Sequence, residues 1–306
     1  RQNKVTNKGE TDAVSVFVSN DFYVGPATVS FGARYEDIQG QLKNFLTNSK
    51  AENDQQEWMP SISVFYELTE SVSLLAGVHK GISPSGPGAT DVSAEESVNY
   101  EFGGRFRSGA IFGEVIGFQS DYSNLLGRCR VSDFGCQPGE EFSGGEVEIQ
   151  GIEVVAGFER SFGSNLDVDA RLAYTYTRSE FEESFLSTFS QFGIVESGDE
   201  LPYLPENILS ASVDFSFLPY SAGLSFRHTS EMREEPGSGS VSSNLHADKQ
   251  TYFDAYFRWD LSQSTFTQVI IRNISDEREI VAHRPFGARP SLPRTLIFKI
   301  EHSLGI

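Results

Sequence analysis

The sequence predicts an all-β protein, a transmembrane antiparallel β-barrel that places about thirteen strands in 306 residues. Three observations predict it. The first is the run 151–178, in which Leu166, Val168, Ala170, Leu172, Tyr174 and Tyr176 alternate with Asp167, Asp169, Arg171, Thr175 and Thr177. Side chains of a strand point to its two faces in turn, so one face here is apolar and the other polar or charged. Each arm of this hairpin runs about ten residues or more, whereas strands of soluble sandwiches average about five or six. Lipid outside and water inside satisfy both faces over that length. The second observation is connectivity: turns alternate short and long along the chain, as in barrels with short periplasmic turns and long external loops. The third is the lack of any run of about 18 apolar residues, which excludes transmembrane helices. A mean hydropathy of -0.30 suits strands that turn half their side chains to a wet lumen.

Taken in order, residues 11–20 and 27–37 form a hairpin about the aromatic turn DFYVGP. In its second arm Ala27, Val29, Phe31, Ala33 and Tyr35 oppose Thr28, Ser30, Arg34 and Glu36. Residues 38–57 are expected as a long polar loop. Strands 59–68 and 72–80 follow, then a loop over 81–95 rich in Pro, Gly and Ser. Strands 96–107 and 110–122 are joined by Ser108 and Gly109, and a loop over 123–150 leads into the long hairpin. Beyond the loop 179–205, whose Pro202 and Pro205 stiffen re-entry into the wall, come strands 207–217 and 221–229. A Gly/Ser-rich loop (230–249), strands 250–261 and 265–273, a loop (274–293) and a closing strand (294–302) complete the chain. Aromatic rings prefer the headgroup level. Phe22, Tyr23, Phe162, Phe217, Tyr220 and Trp259 fall near short turns, and Trp58, Tyr122 and Tyr176 near loop ends.

Charge and cysteines narrow the function. A net charge of -19 offers no basic stripe for nucleic acid. Acidic loops suit divalent cations and the lipopolysaccharide these bridge. Cys129 and Cys136, in the polar segment GRCRVSDFGCQPG, read as a local disulfide formed in an oxidising compartment. No histidine stands nearby to complete a metal site. The five histidines are scattered, and neither HExxH nor GxSxG occurs. The opening RQNKVTNKGE has no apolar core of a signal peptide. Bacterial single-chain barrels have even strand numbers, so an odd count predicts further strands before Arg1.

At these residues the chain resembles the TonB-dependent receptors of the Gram-negative outer membrane. The stretches that carry the likeness are GETDAVSVFVSNDFYVGPATVSFGARYEDI, LLAGVHKGISPSGPG, ESVNYEFGGRF, EFSGGEVEIQGIEV, LAYTYTRSEF, GDELPYLPEN and RPSLPRTLIFKIE. The likeness spans essentially the whole chain and is strongest to the ferric-citrate type. It implies a plugged barrel of about 22 strands, of which 1–306 is the C-terminal part, with the N-terminal plug and first strands lying outside it. It implies a bacterial outer-membrane location, uptake of a ferric siderophore, a partnership with TonB through that N-terminal segment, and contact with lipopolysaccharide and outer-membrane lipid. Iron enters only as the chelate carried, with no resident cofactor. The family usually ends in an aromatic residue, and this chain ends His302-Ser303-Leu304-Gly305-Ile306. Other TonB ligands (haem, cobalamin, a glycan), a passive porin and a rim-site enzyme are the alternatives.

For an anionic chelate the expected contacts are arginines near the outer mouth, because guanidinium forks match carboxylates bidentately. Strand parity turns Arg34, Arg227 and Arg272 to the lumen near outer ends, and Arg128 and Arg130 flank Cys129. Arg171 and Arg258 sit deeper, beside Asp169 and beside Asp254 or Asp260, and are expected to be ion pairs of the wall.

Overall fold

The computed structural model describes residues 6–90, 92–129, 140–187, 192–241, 246–284 and 287–304. Thirteen strands form one antiparallel sheet in strictly sequential order. They are β1 (Asn7–Val24), β2 (Ala27–Asn44), β3 (Ser49–Glu67), β4 (Val72–Ser83), β5 (Glu95–Ser108), β6 (Ile111–Ser123) and β7 (Val147–Phe162). The series continues through β8 (Leu166–Phe181), β9 (Asn207–Phe217), β10 (Tyr220–Thr229), β11 (Gln250–Ser262), β12 (Thr265–Arg272) and β13 (Thr295–His302). The sheet is an open one among the described residues, with β1 and β13 at its edges. All thirteen strands expected from alternation are present. Among the described residues no helix is long and apolar enough to cross a membrane.

Register explains which face is which. One row of paired residues runs Leu296, Ile271, Ala255, Leu224, Val213, Ala170, Phe158 and Ile111, apolar from β13 to β6. Leu172 is 39% exposed and Phe257 46% exposed, so neither packs into a protein interior. A soluble protein with so wide an uncovered apolar face would aggregate; in a bilayer that face is solvated by acyl chains. On the opposite face Arg171 pairs with Glu159 (2.9 Å) and Asp169 (3.1 Å), and Arg258 with Asp260 (2.6 Å). These are the wall pairs that the sequence predicts. Tyr256 donates its hydroxyl to Asp214 at 2.7 Å across Gly223, where an added Cβ would come within 2.4 Å of the Tyr256 ring.

The rims are aromatic. Tyr220 lies 5.6 Å from Phe217 and 6.1 Å from Trp259 beside the short turn, and Tyr35 lies 5.0 Å from Trp58 at the other end. Tyr122 departs from the expected girdle. It pairs with Val147 on the lumen face and packs against the buried cluster of Cys129, Val147, Phe181, Phe192 and Val195.

Residues 38–57 are not a loop. β2 and β3 run on through them in unbroken register, Ile38 opposite Gln55 and Asn44 opposite Ser49, leaving only 45–48 as the turn. The physical reason is that both faces of this extension stand above the lipid. Alternation marks only strands with one apolar solvent, whereas the backbone ladder forms wherever its groups find partners. The extension is braced from one side by the loop after β4: Asn53 donates to Ser85 at 3.3 Å, and the Gly88 amide donates to Asn53 at 2.8 Å.

Candidate ligand-binding site

Toward the outer ends of β8 to β12 the lumen face holds a cavity of about 930 Å3. Arg171, Arg227 and Arg272 line it together with Tyr252, Asp254 and the returning segment around Leu292. The structure thus brings together two of the expected arginines, Arg227 and Arg272. It adds Arg171 from below, a residue the sequence assigns to the wall alone.

What separates these arginines is pairing. Adjacent same-face positions of a strand are i and i+2, so a carboxylate two residues away reaches a guanidinium without moving the backbone. Arg171 has Asp169 in that position. Arg34 has Glu36, whose Oε1 accepts from Arg34 Nε at 2.7 Å, and Ser15 Oγ accepts from the same guanidinium at 3.1 Å. Arg227 has Ser225 and Thr229 at those positions and Ser210 and Tyr252 across the ladder. Arg272 has Ile270 and Ile274, with Thr295 across. Neither forms an ion pair among the described residues, and both are exposed to the lumen.

The one carboxylate lining the cavity near them is already engaged. Asp254 Oδ1 accepts the Asn273 backbone N–H at 2.7 Å. Asn273, 4% exposed and at φ 51°, uses its whole amide to close the base of the last loop. Its Nδ2 donates to Glu277 O (2.8 Å) and Leu292 O (2.9 Å), and its Oδ1 accepts from Glu277 N (3.0 Å). A left-handed backbone is tolerated by Asn better than by most side chains. Three residues on, Asp276 Oδ1 accepts the Arg294 N–H at 3.0 Å. That bond first, then the Arg278 guanidinium, holds Asp276 below the ordinary carboxylate range.

The last loop is also tied to the loop after β10. His283 N–H donates to Glu234 at 2.6 Å, Ile280 N–H to Asp248 at 2.7 Å, and Arg284 pairs with Glu235. Glu234 is fully buried. Of the two, the last loop reaches the arginine-lined cavity, through Val281 and 290–293.

Arg34 and Arg128 do not line this cavity. Arg128 is exposed on a short strand, Leu126–Arg128, that pairs with Glu141–Ser143. Cys129 beside it is 2% exposed and is not a free thiol. Arg130 and Cys136 lie outside the described residues. Among the described residues no cluster of three or more His, Cys, Asp or Glu is placed to hold a metal ion.

The sequence matches the family described as TonB dependent receptor-like, beta-barrel, over residues 2–274. The fold is similar to that of the siderophore receptor PiuA from Acinetobacter baumannii, with a TM-score of 0.77 at 17% identity over 97% of this chain. It is similar to the ferric citrate transporter FecA in its unliganded form, at 0.76 and 18% over 97%. The ferric yersiniabactin uptake receptor FyuA from Yersinia pestis gives 0.71 and 16% over 97%. This chain covers 44%, 45% and 46% of those three, so it spans less than half the length of each. At such identities the likeness is one of fold.

Proposed function

This chain belongs to the TonB-dependent receptor-like β-barrel family, and from that premise we propose that it forms the C-terminal wall of a receptor that takes up a ferric siderophore, a citrate-type chelate fitting best. Family membership places it in the bacterial outer membrane and among receptors rather than enzymes. The observation that carries the ligand reading is the pair Arg227 and Arg272, which form no ion pair among the described residues and line a cavity with one carboxylate, Asp254, against three arginines. A polyanionic chelate finds there two guanidinium forks whose donors no ion pair engages.

The mechanism follows from those residues. The two external loops capture the chelate, and Arg227 and Arg272 hold its carboxylates at the mouth. A plug contributed by the rest of the protein, and remodelled by TonB, then opens the path. No bond is made or broken and no resident cofactor takes part. In the same reading Cys129 and Cys136 are bridged, which stiffens the backbone carrying Arg128 and Arg130. Thiol labelling of the unreduced protein is expected to find no free cysteine.

The test is binding of ferric citrate to the full-length receptor, with Arg227→Glu and Arg272→Glu made singly. Hydrogen bonds to charged groups are worth about 1.5–3 kcal/mol, so each variant should bind about tenfold to a hundredfold more weakly. Unchanged affinity in both rejects the assignment. Arg34→Glu is the control, since its guanidinium already serves Glu36.

A further inference from the structure

The arginine cavity has two unlike sides. Arg171, Arg227 and Arg272 stand on the wall strands, whereas Val281, Pro290, Leu292 and Pro293 line it from the last loop. That apolar strip is fixed through its backbone. Leu292 O accepts from Asn273 Nδ2 at 2.9 Å, Ser291 N–H donates to Glu279 O at 2.8 Å, and Pro290 stands opposite Ile280. Ser291 Oγ accepts the Glu279 N–H at 3.1 Å and donates to Glu277 O at 3.2 Å. Pro290 and Pro293 each lock their own φ, which leaves the strip few other paths. Leu292 is nonetheless 77% exposed and stands outside the buried cluster around Phe181. A small polyanion held by guanidiniums alone makes no use of it. The cavity is also large: about 930 Å3 lies near the upper end of the range for drug-sized ligands, about 300–1,000 Å3.

We propose that the chelate taken here is amphipathic, an iron-binding hydroxycarboxylate head that carries a short aliphatic arm. The inference rests on the reading of this cavity as a chelate site and narrows the class of chelate it takes. Carboxylates of the head meet Arg227 and Arg272, and the arm lies along Leu292 and Val281. Each methylene moved from water onto that strip adds affinity in proportion to the apolar area it covers. The two sides also orient the ligand. A bare polyanion leaves the strip in water, and an apolar molecule without carboxylates leaves Arg227 and Arg272 without acceptors.

The test compares ferric citrate with the ferric complex of a citrate bearing a butyl chain on one methylene carbon. The butyl compound keeps every carboxylate and the hydroxyl, so only the arm differs. Binding of both to the full-length receptor is followed by intrinsic fluorescence, and folding of each variant by heat-modifiable gel mobility. The wild type is expected to bind the butyl chelate about tenfold more tightly than ferric citrate. Leu292→Asn, which keeps the backbone bond to Asn273, and Val281→Thr should each cut that advantage about threefold. Arg227→Glu should weaken both chelates and leave their ratio. Detergent takes up the butyl chelate equally in every sample, so comparison between variants is free of it. Equal affinity of the wild type for the two chelates overturns the inference and leaves the chelate site standing. An advantage that survives unchanged in both loop variants does the same. Binding of neither chelate removes the site and the inference together.

Discussion

Two groups of external loops stand on the same wall and are held by different forces. The group around Phe181 is a small apolar core: Phe181 is fully buried, 5.7 Å from the ring of Phe185 and 6.3 Å from that of Phe192, with Cys129, Val147 and Val195 about it. Among the described residues the group over the arginine cavity has no such core. It is closed by Asn273 and Asp276 at its base and by the Glu234, Glu235 and Asp248 contacts higher up. Apolar packing is non-directional and indifferent to pH, whereas hydrogen bonds to carboxylates are directional and titrate. A rigid platform and a responsive cover therefore share one rim.

The largest effect is expected from Phe181→Ala. Removing a buried phenylalanine costs about 3–5 kcal/mol. Hydrogen exchange should speed up throughout 124–129 and 192–201 and leave 274–284 unchanged; a change in both regions would merge the two groups into one. A wall substitution gives the reference. Leu172→Arg near the middle of the apolar band should cost about 2–4 kcal/mol of insertion, while Thr175→Arg on the lumen face is tolerated. Equal damage by the two, measured as heat-modifiable folded barrel, would contradict the assignment of faces.

Next comes Asn273→Ala, which strips partners from Leu292 O and from both backbone groups of Glu277. An unsatisfied group costs about 1–3 kcal/mol, so exchange should rise at 274–284 with the Phe181 group unmoved. The smallest effect, and the sharpest contrast, is the response to acid. Burial first, then Glu146, Glu148 and Asp121, hold Glu182 above the ordinary carboxylate range. A raised carboxyl contributes stability that is full below its unfolded pKa and lost as pH rises through the folded one. Mild acidification should therefore slow exchange near Glu182, and Glu182→Gln should remove that dependence. Asp276 is held low, so its contribution persists at mild acidity and is lost only as pH falls through its lowered value. Exchange followed against pH at the two sites should move in opposite directions, in separate windows; parallel curves would refute the contrast.

The wall was legible in the sequence because lipid imposes a period of two on one face, and alternation in runs such as 166–176 reports it directly. Where no apolar solvent acts, at 38–57, the same strands left no periodic trace and read as loop. The Phe181 core was hidden for a related reason. Its members come from 129, 147, 181, 192 and 195, and only chain folding brings them together. The one available signal was aromatic: Phe181, Phe185 and Phe192 in a loop otherwise rich in Glu and Ser. The arginines were half legible. Parity turned Arg34, Arg227 and Arg272 to one face, and the register puts all three on it, Arg34 in mid-strand because β2 runs on to Asn44; the neighbour two residues away decides which is ion-paired. That rule assigns Arg171 to Asp169 and Arg258 to Asp260, and applied to Arg34 it finds Glu36.

The closed base of the last loop has a consequence for change over time. Because Asn273 and Asp276 fasten one foot of the loop to the other, the span between them is a bracketed module whose tip can lengthen, shorten or vary without transmitting strain to Arg272. The crest of that loop can thus be rewritten while the base that closes on Asn273 stays as it was.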